Sequence, residues 1–382
     1  VSSVIIGSAL RTCLGDGAST FDGLLAGASG VRPLCFMDGE RLNVRFGYHV
    51  VDEHLAAERQ FRASTWLGEC VADALTQAGV NPAEHRVVAV TGTGLREVRS
   101  VERFVAMGSP AGHRVPAHRL HFGDAVREAA PGVTDVLTLA NACSAGGHAL
   151  ALAQDLLDLG EADAVVVGAA DSMAQSMLAM IGRVTDEPTT SVRPFDVHRT
   201  GVLLGEGAAA VVLVAEGSAL AGGVEPLARV LATGLSCDAH HETAPDVGGV
   251  LRAMRDALTR ADRQAGDVDL VLAHGTGTML NDPMEATALR TLLGAHTPKV
   301  TAVKGSLGHT SGAAHLVNLD VAVRALRAGV VPPVTGLSTP IDEAADLDLV
   351  TGAPAPTGAR LAQVDAFGFG GVNAVTMVEA VG

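Results

Sequence analysis

Residues 136–157 read VLTLANACSAGGHALALAQDLL. The first five are an apolar run of strand length and strand composition. Small residues break the run over 141–147. From Ala145 a helix period sets in, with Leu150, Leu152, Leu156 and Leu157 on or near one face and Gly160 as the stop. Cys143 falls on the hinge between strand and helix. There the free backbone N–H groups of the coming helix would point at its sulfur, and the positive end of the helix dipole favours thiolate over thiol. A buried structural cysteine is the plain alternative for any single Cys. The strand–turn–helix setting makes this one a candidate nucleophile.

Outward from this stretch the 382-residue chain alternates strand-like runs with helix-period segments, the α/β pattern. Strands are expected over 4–6, 87–91, 136–139, 164–167, 208–214, 228–233, 270–273, 300–303 and 374–378. A mean hydropathy of +0.30 with only 3% aromatics implies cores filled by Ala, Val and Leu. No apolar run reaches the roughly 18 residues that span a bilayer. The opening VSSVIIGSAL reads as a first strand rather than a signal peptide. Cys13, Cys35, Cys70, Cys143 and Cys237 are scattered with no C-x-x-C pair, which points to a reducing cytoplasm and away from disulfides or a zinc site. A formal net charge of −15 disfavours nucleic acid or an anionic membrane as partner. Lys299 and Lys304 are the only lysines among 27 basic residues, so either marks a place where a compact ammonium is wanted.

The chain also repeats itself. Residues 73–78, DALTQA, match 256–261, DALTRA, at a spacing of 183, and at that spacing Gly92-Thr93-Gly94 falls on Gly275-Thr276-Gly277. At a spacing of 166, Cys143 falls on His309, Gly146 on Gly312 and Leu150 on Leu316. Near the ends, GAAAVVLV (207–214) lies over GVNAVTMV (371–378). The matches are colinear, which is the mark of duplication. We expect two halves of one topology, 1–217 and 218–382, about a pseudo-twofold axis with a seam in 215–226. The hinges carrying Cys143 and His309 would then face each other.

Three stretches of the second half should converge on Cys143. His274-Gly275-Thr276-Gly277-Thr278 follows a buried strand, with glycines that admit a ligand and hydroxyls alternating on one face. It lacks the G-x-x-x-x-G-K-[ST] and G-x-G-x-x-G phosphate cradles. Asp282-Pro283-Met284-Glu285 has the form of a helix start, with Asp282 as N-cap and Glu285 as capping acid. The second stretch runs from Lys304 to His309. The third, FGFGGVN over 367–373, fits a tight turn beside a ligand. A nucleophilic Cys with imidazoles from other segments and backbone N–H groups for an oxyanion is the logic of thioester chemistry. His148, His198 and His240-His241 have spacings that fit no metal site.

These motifs, together with Arg193-Pro194-Phe195-Asp196 and Gly205-Glu206-Gly207-Ala208, occur in the order found in β-ketoacyl synthases, the ketosynthases of the thiolase superfamily. The chain resembles that family of fatty acid and polyketide condensing enzymes along essentially its whole length. The resemblance implies an α/β thiolase-like fold, two βαβαβαββ halves in a five-layer α-β-α-β-α sandwich. It implies decarboxylative Claisen condensation of an acyl thioester on Cys143 with malonyl-acyl carrier protein. His274 and His309 would bind the malonyl thioester carbonyl and stabilise the enolate. Lys304, paired with Glu285, would set the charge and orientation of His309. The N–H groups of Cys143 and Phe369 would form the oxyanion hole, with Phe369 also gating the acyl pocket. Thr276 and Thr278 would bind the pantetheine arm, and Asp282 would support the site. No metal or redox cofactor is implied, the phosphopantetheine arriving on the carrier protein. A homodimer, or a heterodimer with a chain-length-factor-like subunit, is expected.

Three departures bear on the acyl pocket: Thr200-Gly201-Val202 stands where the family has Asp-Gly-Phe, His315 where Gly is usual and Val372 where Thr is common. For docking an acidic carrier protein, Arg59 and Arg62, beside Phe61 and Trp66 on an expected helix, and Arg183 are the candidate cations. A degradative thiolase would need a second cysteine, and a Cys-His-Asn condensing enzyme an Asn at position 309. A non-catalytic chain-length factor is the reading that expects the nucleophile replaced. A ketosynthase-like acyltransferase forming an ester or amide is the remaining alternative.

Overall fold

The computed structural model describes residues 2–52, 55, 59–106, 108, 115–183 and 187–381. Ten strands carry the fold: β1 (Ser3–Thr12), β2 (Val87–Gly92), β3 (Asp135–Leu139), β4 (Ala164–Asp171), β5 (Gly207–Ala215), β6 (Ala228–Cys237), β7 (Leu270–Leu272), β8 (Lys299–Thr301), β9 (Leu361–Gly368) and β10 (Val372–Glu379). Their hydrogen-bonded order is β3-β2-β4-β5-β1-β6-β10-β9-β7-β8, with the short strand Asp348–Leu349 beyond β8. On either side of the antiparallel β1–β6 pair the same arrangement recurs. β1–β5 and β5–β4 are antiparallel while β4–β2 and β2–β3 are parallel, and β6–β10, β10–β9, β9–β7 and β7–β8 repeat that sequence of senses. β9 is a strand that the apolar pattern did not announce.

Helices supply the other layers. α1 (Arg62–Ala78) packs on one face of β1, β5 and β4, and α3 (Val247–Arg260) on β6 and β10. α2 (Ala145–Asp158) and α6 (Ala314–Ala328) lie between the two half-sheets, each touching strands of both. The stacking is therefore α-β-α-β-α. α6 is buried nearly all round, from Ala314 to Leu326, as a helix between two sheets must be. α2 manages the same with Ala and Gly: a Cβ on Gly146 would meet the carbonyl oxygen of Gly312 at 3.2 Å, and one on Gly147 would meet the Ala374 side chain at 2.5 Å. The helix ends where expected, with Gly160 at φ 69° just past it.

The strand registers also correct the alignment of the repeat. Val88 pairs with Asp135 in the first half, and Val271 with Val300 in the second, so the spacing that relates β3 to β8 is 165. The one-turn 3₁₀ segments that follow are Ala142–Ser144 and Ser311–Ala313, spaced 169 apart, and each contains a left-handed residue, Ala142 at φ 49° and Ser311 at φ 51°. The counterpart of Cys143 is thus Gly312, not His309. The second half has gained four residues between strand and elbow, the single turn α5 (Lys304–Leu307). That added turn carries Lys304 and delivers His309.

Candidate active site

Cys143 stands half-buried at the first elbow. Its own N–H and that of Phe369 both point at the sulfur. Burial pushes the thiol up to about 11, against the pull of the Lys304 ammonium. Desolvation therefore outweighs the helix terminus that the sequence suggested would favour thiolate. β9 brings the second half in: a Cβ on Gly368 would lie 3.2 Å from the Cys143 nitrogen, and the ring of the preceding Phe367 is 5.6 Å from that of His274.

His274 and His309 are buried with ring centroids 5.3 Å apart, edge to face. The Ser311 N–H donates to His309 Nδ1 at 3.1 Å, and Lys304 Nζ donates to His274 Nδ1 at 3.3 Å. With Nδ1 accepting in both rings, the proton of each neutral imidazole belongs on Nε2. Burial, and after it the Lys304 charge, holds both rings well below the usual histidine range. The site therefore holds two neutral N–H donors side by side.

Lys304 is itself buried, which pushes its ammonium below the ordinary lysine range. It also donates to the His274 carbonyl oxygen. Its contact is thus with His274 and not His309, and no ion pair with Glu285 forms among the described residues. Glu285 instead accepts from the His274 N–H at 2.6 Å and the Gly275 N–H at 2.8 Å, and Asn281 Nδ2 donates to it at 3.1 Å. Asp282 accepts from the N–H groups of Phe195 at 2.7 Å, Thr276 at 3.0 Å and Gly277 at 3.1 Å. Asp282 lies in the first turn of α4 (Asn281–Leu293) and Glu285 just past it, and the N-cap is Leu280, so neither is the expected cap. They shape the His274–Thr278 loop, and burial pushes both carboxyls up. The Thr276 and Thr278 hydroxyls lie on one side, 2.9 Å apart.

The expected docking residues separate. Arg62 begins α1, while Arg59 and Phe61 precede that helix. Arg62 donates to Glu206 at 3.1 Å and to the Val50 carbonyl at 2.9 Å and lies over the Trp66 ring, so it is part of the interior. Arg59 and Arg183 are exposed. Among the described residues no group of three or more His, Cys, Asp and Glu is placed to hold a metal, and no helix is long and apolar enough to cross a membrane. Two contributors had escaped notice: Asn318 on α6, donating to the Ala273 carbonyl at 3.2 Å, and Asp171 at the end of β4. Asp171 did carry a signal, a lone acid closing an otherwise apolar strand.

Comparison with known proteins gives the same picture over nearly the whole chain. Residues 3–219 match the model described as Beta-ketoacyl synthase, N-terminal domain, and residues 227–338 that of the C-terminal domain. The 3-oxoacyl-[acyl-carrier-protein] synthase 2 of Mycobacterium bovis is 33% identical over 97% of this chain and 95% of its own length. Nodulation protein E of Rhizobium meliloti is 38% identical over 64% of this chain and 62% of its own. Among solved structures, the ishigamide ketosynthase/chain length factor superposes with a TM-score of 0.91 at 31% identity, covering 100% of this chain and 99% of that one.

Proposed function

The chain belongs to the β-ketoacyl synthase family, and from that premise we propose that Cys143, His274 and His309 carry a decarboxylative condensation on acyl carrier protein thioesters. The chain is a ketosynthase, an enzyme of the acyltransferase class. We read residues 1–217 as the half that brings the nucleophile and 218–382 as the half that brings the imidazoles.

The Cys143 sulfur attacks the acyl thioester of the carrier, the carrier thiol leaves with the proton, and acyl-Cys143 remains. A malonyl thioester then sets its carbonyl oxygen against the two Nε2–H groups. Its carboxylate leaves as carbon dioxide, and the electron pair of the broken C–C bond moves into an enolate that those donors hold without burying a second charge. The enolate carbon attacks the acyl-Cys143 carbonyl, whose oxyanion the Cys143 and Phe369 N–H groups receive. The C–S bond breaks and the sulfur takes up a proton. The observation that carries this reading is the pair of neutral imidazoles whose Nδ1 atoms are both engaged by donors. The pantetheine arm would lie along Thr276 and Thr278, with Phe369, its side chain 45% exposed, at the mouth.

A second subunit of the same fold, a copy or a chain-length-factor-like partner, would add to β3. That edge strand is half-buried or exposed along all its length, with Leu137 40% exposed, and an uncovered apolar edge invites pairing. The deciding experiment incubates the protein with acyl- and malonyl-carrier protein and follows carbon dioxide and carrier mass. Condensation predicts both gas release and a β-ketoacyl adduct. Acyl transfer to an alcohol or amine without gas release would establish the ester- or amide-forming alternative instead.

A further inference from the structure

The end of β4 and the end of β9 occupy equivalent places. Val87 pairs with Ala164 and Leu270 with Ala362, which makes Asp171 the counterpart of Phe369. Each strand end addresses the other half's elbow. Phe369 turns its N–H toward Cys143, and Asp171 takes the N–H of Gly312 at 2.7 Å. The same carboxylate accepts from Gly94 N–H at 2.7 Å, Leu95 N–H at 2.8 Å and the Thr93 hydroxyl at 2.6 Å. At this junction the backbones touch: a Cβ on Gly312 would lie 2.4 Å from the Gly94 nitrogen. Asp171 is fully buried and has four neutral donors, but among the described residues no cation pairs with it.

We propose that Asp171 is a positioning residue of the condensation site. Its carboxylate clamps the His309 elbow to the half that bears Cys143, and it keeps an unpaired negative charge within electrostatic reach of the sulfur. The charged or titratable groups in its field are Cys143 on the first elbow and Glu97 on the loop after β2, while Lys304 acts on the same sulfur with opposite sign. A thiol between turnovers is thereby kept protonated and inert toward stray electrophiles. Burial holds the Asp171 carboxyl up at about 6, so at neutral pH the charge is present.

The inference rests on the condensation reading for turnover but not for the thiol, so the test has separate arms. In Asp171→Asn, one oxygen still accepts, while the amide NH2 confronts two of the former donors. Alkylation of Cys143 by iodoacetamide, followed on its own peptide from about pH 7 to 12 in parent and variant, should shift its midpoint down by about one unit, the usual scale for losing a nearby like charge. Turnover should fall by roughly tenfold or more as the elbow loosens. An unmoved alkylation midpoint in a folded variant overturns the electrostatic role. A faster thiol with full turnover overturns the clamp. Should Asp171→Asn fail to fold, Thr93→Val decides. It removes one donor and keeps the charge, so Gly312 amide exchange should quicken without any fall in the alkylation midpoint. Unchanged Gly312 exchange there overturns the proposal.

Discussion

The two elbows, at 142–144 and 311–313, share a backbone and differ in what surrounds it. Both follow the equivalent parallel strand of a half-sheet, both pass through one left-handed residue, and both open a helix of the central layer. The first begins at β3, an edge strand that is at most half-buried, and Cys143 is reachable. The second is sealed: Ser311, Gly312 and Ala313 are buried, and the residue equivalent to Cys143 is a glycine with no room for a side chain. Duplication supplied two identical platforms. One kept a reactive atom at its tip, and the other gained a turn upstream that puts a lysine and a histidine beside it. The condensation proposed for this site therefore depends on asymmetry within a symmetric frame.

The sharpest way to break the comparison is to empty the first tip. Cys143→Ala should abolish both acyl transfer to the protein and β-ketoacyl product, read as the loss of the acyl adduct in intact mass. Next come the imidazoles. His274→Ala and His309→Ala should each lower kcat by about 10²–10³, the scale of removing one donor from a preorganised oxyanion site. Because neither ring touches the acyl-transfer step in this reading, acylation of Cys143 should survive in both. Loss of acylation alongside condensation would mean that the rings activate the thiol instead.

Lys304 lets the inserted turn be tested by pH. Burial lowers its pKa, so its ammonium is lost at a pH below the ordinary lysine value. The ammonium favours the enolate, hence kcat should decline on the alkaline side as that proton leaves. Lys304→Met should be slower at neutral pH, by roughly tenfold, and should lack this limb. A limb that persists in Lys304→Met belongs to another group.

What could be read from the letters alone follows from what local pattern encodes. Strands β2, β4 and β5 are continuous apolar runs, as strands covered on both faces must be, and they stand out. β9 hides because Gln363 and Asp365 interrupt its apolar run; inside the protein Gln363 Nε2 donates to Asp365 at 2.9 Å. The duplication was legible, but its register was not. Matching letters slid His309 onto Cys143 because sequence identity cannot see a four-residue turn inserted between strand and elbow. Motif order was enough to single out Cys143, His274, His309 and Lys304 as candidates. Their partners could not be found that way, since the contact that ties Lys304 to His274 spans 30 residues and that of Arg62 with Glu206 spans 144.

Gly312 measures how tightly the second elbow is sealed. Gly312→Ala places a methyl group against the Gly94 backbone, where nothing flexible can yield. A cost of about 1–3 kcal/mol is expected for such overpacking, seen as a Tm several degrees lower, with turnover reduced because His309 sits three residues upstream. Gly370→Ala, at φ 86° but in open space, should cost only the backbone strain of about 1–2 kcal/mol and leave the junction intact. A Gly312→Ala variant with the Tm and turnover of the parent would argue against a tight junction at 312.

The smallest effects belong to the surface, where the three arginines proposed for docking are not equivalent. Arg183 lines a cavity of about 480 Å³ with Arg41, and Arg59 lines a separate, smaller hollow beside Arg62 and Arg99. Exposed charges steer an acidic partner through a field that salt screens within about 10 Å at 0.1 M. Arg59→Glu with Arg183→Glu should therefore raise KM for the carrier substrate a few-fold at low salt, leave kcat alone, and lose the difference as salt is added. Arg62→Glu should behave otherwise. It sets two carboxylates against each other in the interior and lowers Tm, so a kinetic defect in that variant says nothing about docking. A KM for the exposed double variant that matches the parent at every ionic strength would remove these two arginines from the docking surface and move the search for it elsewhere on the protein.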